Sequence, residues 1–458
     1  MHTMNTSLTK RGFMIQKNQI SSEQLKQLHE ELSVSPYVPK DYRFGNITKF
    51  NLYQESERNI YIPKSYGLKK FGVPSSIKIS QGDEIPSSIK FTGSLRDEQH
   101  APVNSVLDAC KDPTQMGGIL NVFCGGGKTT MALYILSVLR KKTLIVVHKD
   151  FLLEQWKERI KTFLPNARIG LIKAKICDID NKDIVLGSLQ SLSMKEYDYD
   201  KVFSGFGTLI IDEVHHTSAE VFSRALAKTS FFYTIGLSAT VSRKDGLTKV
   251  FLWYLGDILY KSDERSDNVE IKHIQFEPLP EDPTDYIEEP ILPFNGKPNM
   301  AKMINNICLS PQRNALIIKT ITQITFNEHT RKILVLSDRR KHLEILKKDL
   351  ESNNIQVGIY MGGMKTSDLS ACSSKQVILA TYAIACEGYD QPGLDTLVLA
   401  SPKSDVVQSV GRILRDKPTD RKNVPLIIDI EDPFHGIFER QSQKRRTYYK
   451  RCNWQETN

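Results

Sequence analysis

The stretch from Gly118 to Leu139 constrains this chain more than any other. An apolar run, Gly118–Phe123, enters Cys124-Gly125-Gly126-Gly127-Lys128-Thr129-Thr130, and an apolar-rich segment, Met131–Leu139, follows. That order predicts a strand, a tight turn and a helix. Three glycines free the backbone from the β-carbon clashes that confine other residues, so successive amides can turn inward around an anion. A helix starting directly after them adds its own unsatisfied N–H groups. Cys124, Gly125, Gly126, Gly127, Lys128, Thr129 and Thr130 are therefore expected to cradle a nucleotide's phosphates. Lys128 would supply the charge and the Thr129 hydroxyl a ligand to Mg²⁺. The pattern G-x-x-x-x-G-K-[ST] is met except at its first position, where Val122 stands.

A strand feeding such a loop needs a parallel sheet around it, and the chain offers material for two. From about Leu95 to Tyr260, apolar strands such as Thr143–Val147 alternate with amphipathic helices such as Phe151–Phe163, the signature of a sheet covered by helices on both faces. A polar, proline-bearing stretch containing EPLPEDPTDYIEEP then intervenes. Alternation resumes with strands expected at Ile333–Ser337, Val357–Met361, Val377–Thr381, Thr396–Ala400 and Val424–Asp429, and helices at Arg340–Ser352 and Asp405–Leu414. The expectation is an α/β chain with an accessory module at 1–90, a first parallel-sheet domain at 91–265, a linker at 266–300, a second such domain at 301–440 and a basic tail at 441–458.

Composition fits this picture and excludes little else. With 62 basic and 53 acidic residues the formal charge is +9, a mild bias toward polyanionic partners. Seven cysteines without a CxxC pair suggest free thiols in a reducing compartment rather than a zinc site or a disulfide framework. No stretch approaches the ~20 apolar residues of a membrane span, so an intracellular chain is expected.

The second chemical feature is a carboxylate pair. The apolar strand ending at Ile211 runs into Asp212-Glu213-Val214-His215, and the carboxyl ends of parallel strands are where such sheets bind ligands. Asp212 can hold Mg²⁺ through water while Glu213 orients and deprotonates an attacking water. His215 and His216 lack further ligands at metal spacing; a role in signalling near the terminal phosphate fits His215 better. In the second block, Gln408, Arg412 and Arg415 fall at i, i+4 and i+7 of the expected helix. One amide and two guanidinium groups would then face together, as stabilisation of a hydrolysing phosphate requires.

DEVH at 212–215, GLSAT at 236–240 and QSVGRILR at 408–415, in this order after the GGGKT loop, resemble motifs II, III and VI of superfamily 2 DEAD/DEAH-box-like helicases. Leu95–Gln99 resembles the adenine-reading Q motif, with Gln99 as base contact. Thr143–His148 with Gln155-Trp156 resembles motif Ia, Gly187–Ser191 motif Ic, Ile333–Asp338 motif IV, and Ala380-Thr381 with Glu387–Pro392 motif V. Arg243-Lys244-Asp245 is similar to the Arg-Glu-Asp element of the XPB branch, with Lys244 in place of its acid. The amino-terminal module, YMGGMK at 360–365 and the closing KRRTYYKR are similar to helicases of large cytoplasmic DNA viruses. The resemblance implies two RecA-like domains with ATP and Mg²⁺ between them. Lys128, Asp212 and Glu213 would lie on one side, with Gln408, Arg412 and Arg415 on the other. It also implies that Gly388 and Asp390 link phosphate and ribose to the bound strand, and that Ser238, Ala239 and Thr240 couple closure to grip. The implied activity is ATP-dependent movement along nucleic acid, DNA before RNA, 3′ to 5′, in viral transcription, repair or recombination. A clamp or remodeller without strand separation is the alternative. The implied partners are transcription or repair machinery, and the place host cytoplasm or virion. Tyr448 and Tyr449 would stack on bases or, alternatively, belong to a terminal helix packed on the second domain.

Overall fold

The computed structural model describes residues 5–457 apart from 38–48, 124, 215–217, 241–242, 244, 263–266, 280–285, 287–288, 293–295, 362–371, 373, 388–390, 392 and 417. The chain forms two compact units, Met1–Asp263 and Glu264–Asn458, each built on a parallel sheet. Among the described residues no helix is long and apolar enough to cross a membrane.

In the first unit eight strands lie in the order Ile176–Asp178, Ile169–Lys173, Ile184–Ser188, Thr143–Val147, Thr208–Asp212, Tyr233–Ser238, Gly117–Asn121, Ile258–Lys261. All neighbours are parallel except the edge hairpin that Ile176–Asp178 makes with Ile169–Lys173. The inner strands are buried on both faces, which is why they read as continuous apolar runs rather than alternating ones. Within Thr143–Val147, Leu144 and Val146 join one core while Ile145 and Val147 join the other.

The first of those cores also contains Leu8, Phe13, Ile15, Leu28 and Ile60. The chain up to Ile79 therefore covers one face of this sheet within the same compact unit, while Ile85 and Ile89 join the core on the other face. The opening segment's own sheet runs Gln54–Glu55, Asn59–Ile62, Gly12–Gln16, Thr6–Thr9, Ser76–Ile77. Lys64 fixes the join: it is 3% exposed, and its ammonium donates to Phe231 O at 3.1 Å and Phe232 O at 3.0 Å. Burial pushes that ammonium down to about 7.

The second unit is a seven-stranded all-parallel sheet in the order Val357–Tyr360, Val377–Thr381, Ile333–Ser337, Thr396–Leu399, Leu426–Glu431, Glu270–Gln275, Gln455–Thr457. Two segments differ from expectation. The stretch read as linker supplies a strand, Glu270–Gln275, whose EIKHIQ is half polar and so escaped an apolar-run criterion. The tail begins inside a helix, Gly436–Arg451, that packs on this sheet through Arg445 and Tyr449 and on the helix Met300–Leu309 through Phe438. Tyr449 is fully buried and donates to Asp429 Oδ2 at 3.0 Å, which excludes base stacking by this ring and supports the packed-helix alternative.

Candidate nucleotide site and the second-unit arginines

Gly125 and Gly127 both adopt φ of +82°, the left-handed region that glycine enters without penalty. Gly127 is the N-cap of the helix Lys128–Leu139, and a β-carbon there would lie 2.1 Å from Gln99 Nε2. A β-carbon at Gly126 would lie 2.4 Å from Val122 Cγ1. Val122 thus fills the space that makes glycine mandatory at 126. What the loop takes from position 122 is its carbonyl, which accepts from Lys128 Nζ at 3.2 Å. The departure from the strict motif therefore changes a packing partner and leaves the cradle intact.

Gln99 is 3% exposed and fastens this loop to the preceding helix, Asp97–Lys111. Its Nε2 donates to Gly126 O at 3.1 Å, and its Oε1 accepts from Arg96 N at 3.0 Å. Arg96, which the sequence did not single out for this loop, reaches Gly125 O from the same helix start at 3.4 Å.

The carboxylates stand two strands away. Thr208–Asp212 pairs with Tyr233–Ser238, Asp212 opposite Leu237, and Tyr233–Ser238 pairs with Gly117–Asn121, Ser238 opposite Asn121. Val122 N donates to Ser238 O at 3.0 Å. The buried Ser238 hydroxyl donates to Thr240 O at 2.6 Å, with Ala239 and Thr240 half-buried behind it. The strand leading into GLSAT is thus the physical bridge between the phosphate loop and the carboxylate pair.

Asp212 is buried, and both of its oxygens are engaged. Trp156 Nε1 donates to Oδ2 at 2.9 Å and Glu213 N to Oδ1 at 2.9 Å. Burial, then the neighbouring Glu213 charge, raise its pKa to about 6. Glu213 adopts φ of +49°, a conformation costing a non-glycine residue of order 1–3 kcal/mol. The turn brings its Oε1 to 3.8 Å from Lys128 Nζ. The Thr129 hydroxyl and the Asp212 carboxylate are oxygen donors, the ligand type that Mg²⁺ accepts. Thr130 follows Thr129 at a half-buried position. Cys124, His215, Gly388 and Asp390 lie outside the described residues, as do Lys244 and most of 360–365. On either side of Lys244, Arg243 pairs with Asp245 at 2.5 Å and lies 5.2 Å over the Phe251 ring.

In the second unit the expected helix Asp405–Leu414 is shorter. Only Val407–Val410 is α-helical, after which Arg412 N donates to Ser409 O and Ile413 N to Val410 O, both at 3.1 Å. These i−3 bonds tighten the turn toward three residues after Gly411, whose own N–H still bonds Val407 O, so Arg412 and Arg415 rotate away from the line that an unbroken α-helix would give them. The one-face argument for 408, 412 and 415 therefore fails as geometry. Gln408 and Arg412 are nonetheless buried, Arg412 Nε donating to Ala385 O, whereas Arg415 is half-buried.

Sequence reasoning passed over Lys403, three residues after the strand Thr396–Leu399 gives way to Ala400. Its ammonium meets Asp338 at 3.1 Å and lies 5.1 Å over the Tyr382 ring. Its carbonyl accepts from Arg445 Nη1 at 2.6 Å. One side chain and its carbonyl thereby join the ends of the motif IV and V segments to the terminal helix. His273, Asp429 and Glu431 converge within 4.8 Å, but Asp429 is taken by Arg445 and Glu431 by Arg446, so the cluster is an ion-pair network.

A glycine-lysine loop and an acidic pair, on parallel strands separated by a single strand, make the first unit an α/β fold of the nucleotide-hydrolase class. Residues 92–243 match the family described as "Type III restriction enzyme, res subunit". The chain is 35% identical over 98% of its length, and 86% of the other, to "Putative ATP-dependent RNA helicase L396" of Acanthamoeba polyphaga mimivirus. It is 28% identical to "Putative helicase 161L" of Invertebrate iridescent virus 6, over 85% of this chain and 88% of that one. To "Putative ATP-dependent RNA helicase QP509L" of African swine fever virus it is 26% identical, over 72% and 68%. The chain belongs to the superfamily 2 helicases of large DNA viruses: it is a nucleic-acid-dependent ATPase that works as an ATP-dependent helicase.

Proposed function

We propose that the chain moves along and unwinds DNA, 3′ to 5′, driven by MgATP bound at the glycine-lysine loop of its first unit. The observation that carries this reading is the Lys128, Asp212 and Glu213 constellation joined to the phosphate loop by the strand Tyr233–Ser238. Gly125, Gly126, Gly127 and Thr130 offer amides to the phosphates, and Lys128 exchanges Val122 O and Glu213 for phosphate oxygens. Gln99 keeps one N–H and one lone pair beyond its two bonds, enough to read adenine. Mg²⁺, held by Thr129 and through water by Asp212, would draw negative charge from the phosphates. Glu213 orients the attacking water and takes its proton. Gln408, Arg412 and Arg415 are assigned to stabilising the charge that develops on the hydrolysing phosphate. Ser238 and Thr240 sit where loop and carboxylates meet and would transmit the nucleotide state to the strand grip.

The names of the mimivirus and African swine fever virus relatives favour RNA as a second reading of the track. ATP turnover stimulated by single-stranded DNA, duplex DNA and RNA at matched salt decides between them. Strand displacement on 3′- and 5′-tailed duplexes then separates a helicase from a clamp. Turnover raised only by RNA would overturn the DNA reading. Stimulation by DNA with no displacement on either tail would leave a translocating remodeller.

A further inference from the structure

The helix Gly436–Arg451 has two chemically opposite sides. Inward, its arginine charges are met: Arg445 bonds Asp429 at 2.7–3.0 Å, and Arg446 bonds Glu431 at 2.6 and 2.9 Å. The nearby Asp432 is taken by Arg313 at 2.6 Å. Outward, Arg440, Lys444, Thr447 and Arg451 follow at spacings of four, three and four, which an α-helix brings onto one line. Lys450 flanks them, and all five are exposed. Among the described residues no carboxylate pairs with Arg440, Lys444 or Lys450. Within the helix itself the single acid is Glu439, which accepts from Gln443 Nε2 at 3.3 Å. Arg440, Lys444 and Lys450 against that one carboxylate leave a local charge of +2 before Arg451 is counted. Arg451 lies 5.7 Å over the Tyr448 ring, which packs edge-on against Trp454 at 5.4 Å, so this guanidinium is already held in place.

We propose that this outward row is an additional docking surface for the phosphate backbone of nucleic acid, outside the nucleotide site. An ordinary solvated face mixes charges of both signs. Here the acids of the neighbouring strand end are turned inward and neutralised, and Arg440, Lys444 and Lys450 face water with Glu439 as the one exposed acid of the helix. From Arg440 to Arg451 the helix rises about 16 Å, the length of about five phosphates along one strand. Four cations over that span match a polyanion, and a polyanion is what this enzyme acts on. Contacts of this kind fix position and carry no sequence information. The row would add affinity and leave the chemistry of ATP unchanged.

The test uses the full chain with R440Q/K444Q/K450Q/R451Q, glutamine being nearly as good a helix former as lysine or arginine. Nucleic-acid binding and half-maximal stimulation of ATP turnover are measured from 50 to 200 mM salt, with single strands and duplexes of DNA and RNA. The log–log salt slope should flatten by about 3, from ~0.7–0.9 per lost phosphate contact. Half-saturation should rise on the order of tenfold. Turnover without nucleic acid, and at saturating nucleic acid, should stay at the parent value. A charge-matched control, K26Q/K111Q/K201Q/K347Q, removes four lysines already paired with Glu30, Asp108, Asp198 and Glu351 and should change the slope by less than one. Single K444Q and K450Q variants keep the test open if the quadruple variant misfolds. An unchanged slope, or equal flattening by the control, would overturn the proposal. So would intact nucleic-acid binding accompanied by lost binding to an acidic protein. Absence of any nucleic-acid stimulation in the parent chain would instead count against the helicase reading.

Discussion

Trp156→Phe isolates the indole hydrogen bond to the Asp212 carboxylate, leaving the bond from Glu213 N in place. The indole donates to Asp212 Oδ2 at 2.9 Å within a buried setting that has already raised the acid to about 6. A bond to a charged group is worth about 1.5–3 kcal/mol, and 1.36 kcal/mol is one pKa unit. Removing it should therefore lift Asp212 by roughly one to two units, to about 7–8. At pH 7 the ionised fraction falls from about nine-tenths to between a half and a tenth, so turnover should drop about two- to tenfold and recover above pH 8.5. The assay is kcat/KM for MgATP against pH at saturating nucleic acid, since that ratio reports the free enzyme's ionisations. The acid limb should move upward by about one unit or more. Equal loss at every pH, with the limb in place, would show that Trp156 acts only by filling space and would refute the hydrogen-bond argument.

Three further outcomes follow from the same geometry. Lys128→Ala should abolish ATP hydrolysis with an unchanged circular dichroism spectrum, while Glu213→Gln should retain ATP binding and lose turnover; wild-type turnover in either would sink the site assignment. Breaking the buried Arg445–Asp429 pair with Arg445→Met should lower the stability of the second unit by about 3–5 kcal/mol, read by urea unfolding; a loss under about 1 kcal/mol would show that Asp429 finds other partners. Lys64, pushed down to about 7, gives up a proton on folding that the unfolded chain keeps. Its contribution therefore becomes more favourable as pH rises from 7 toward 10, by up to about 1.4 kcal/mol per unit; Lys64→Met should flatten that slope in melts at pH 7 and 9, and parallel slopes would refute it.

The phosphate loop, the acidic pair and both parallel sheets were legible because each depends on local pattern: glycine permissiveness, apolar runs of strand length, and carboxylates at a strand's end. What escaped depended on partners distant in sequence. Glu270–Gln275 joins the sheet through Leu426–Glu431, over 150 residues on, and its alternating polarity reflects a place near the sheet's edge. Trp156 and Asp212 are 56 residues apart, and nothing local announces their bond. Lys403 reads as a loop lysine until Asp338, Tyr382 and Arg445 are brought around it. The arginine segment failed differently: its pattern fits an α-helix, yet i−3 bonds tighten it after Gly411, a backbone choice that side-chain periodicity does not encode.

The order of strands says why the sequence motifs need not be adjacent to act together. The phosphate loop follows Gly117–Asn121 and the carboxylates end Thr208–Asp212, yet these strands never pair; Tyr233–Ser238 lies between them. A shift of either neighbour is therefore felt first at Ser238, whose carbonyl holds Val122 N and whose hydroxyl holds Thr240 O. Val122 O in turn holds Lys128, and Lys128 faces Glu213. The loop from lysine to carboxylate thus closes through a backbone path as well as through space. Displacing Lys128 onto a phosphate would release Val122 O and Glu213 together, and under the proposed function the GLSAT strand would register nucleotide occupancy by that path.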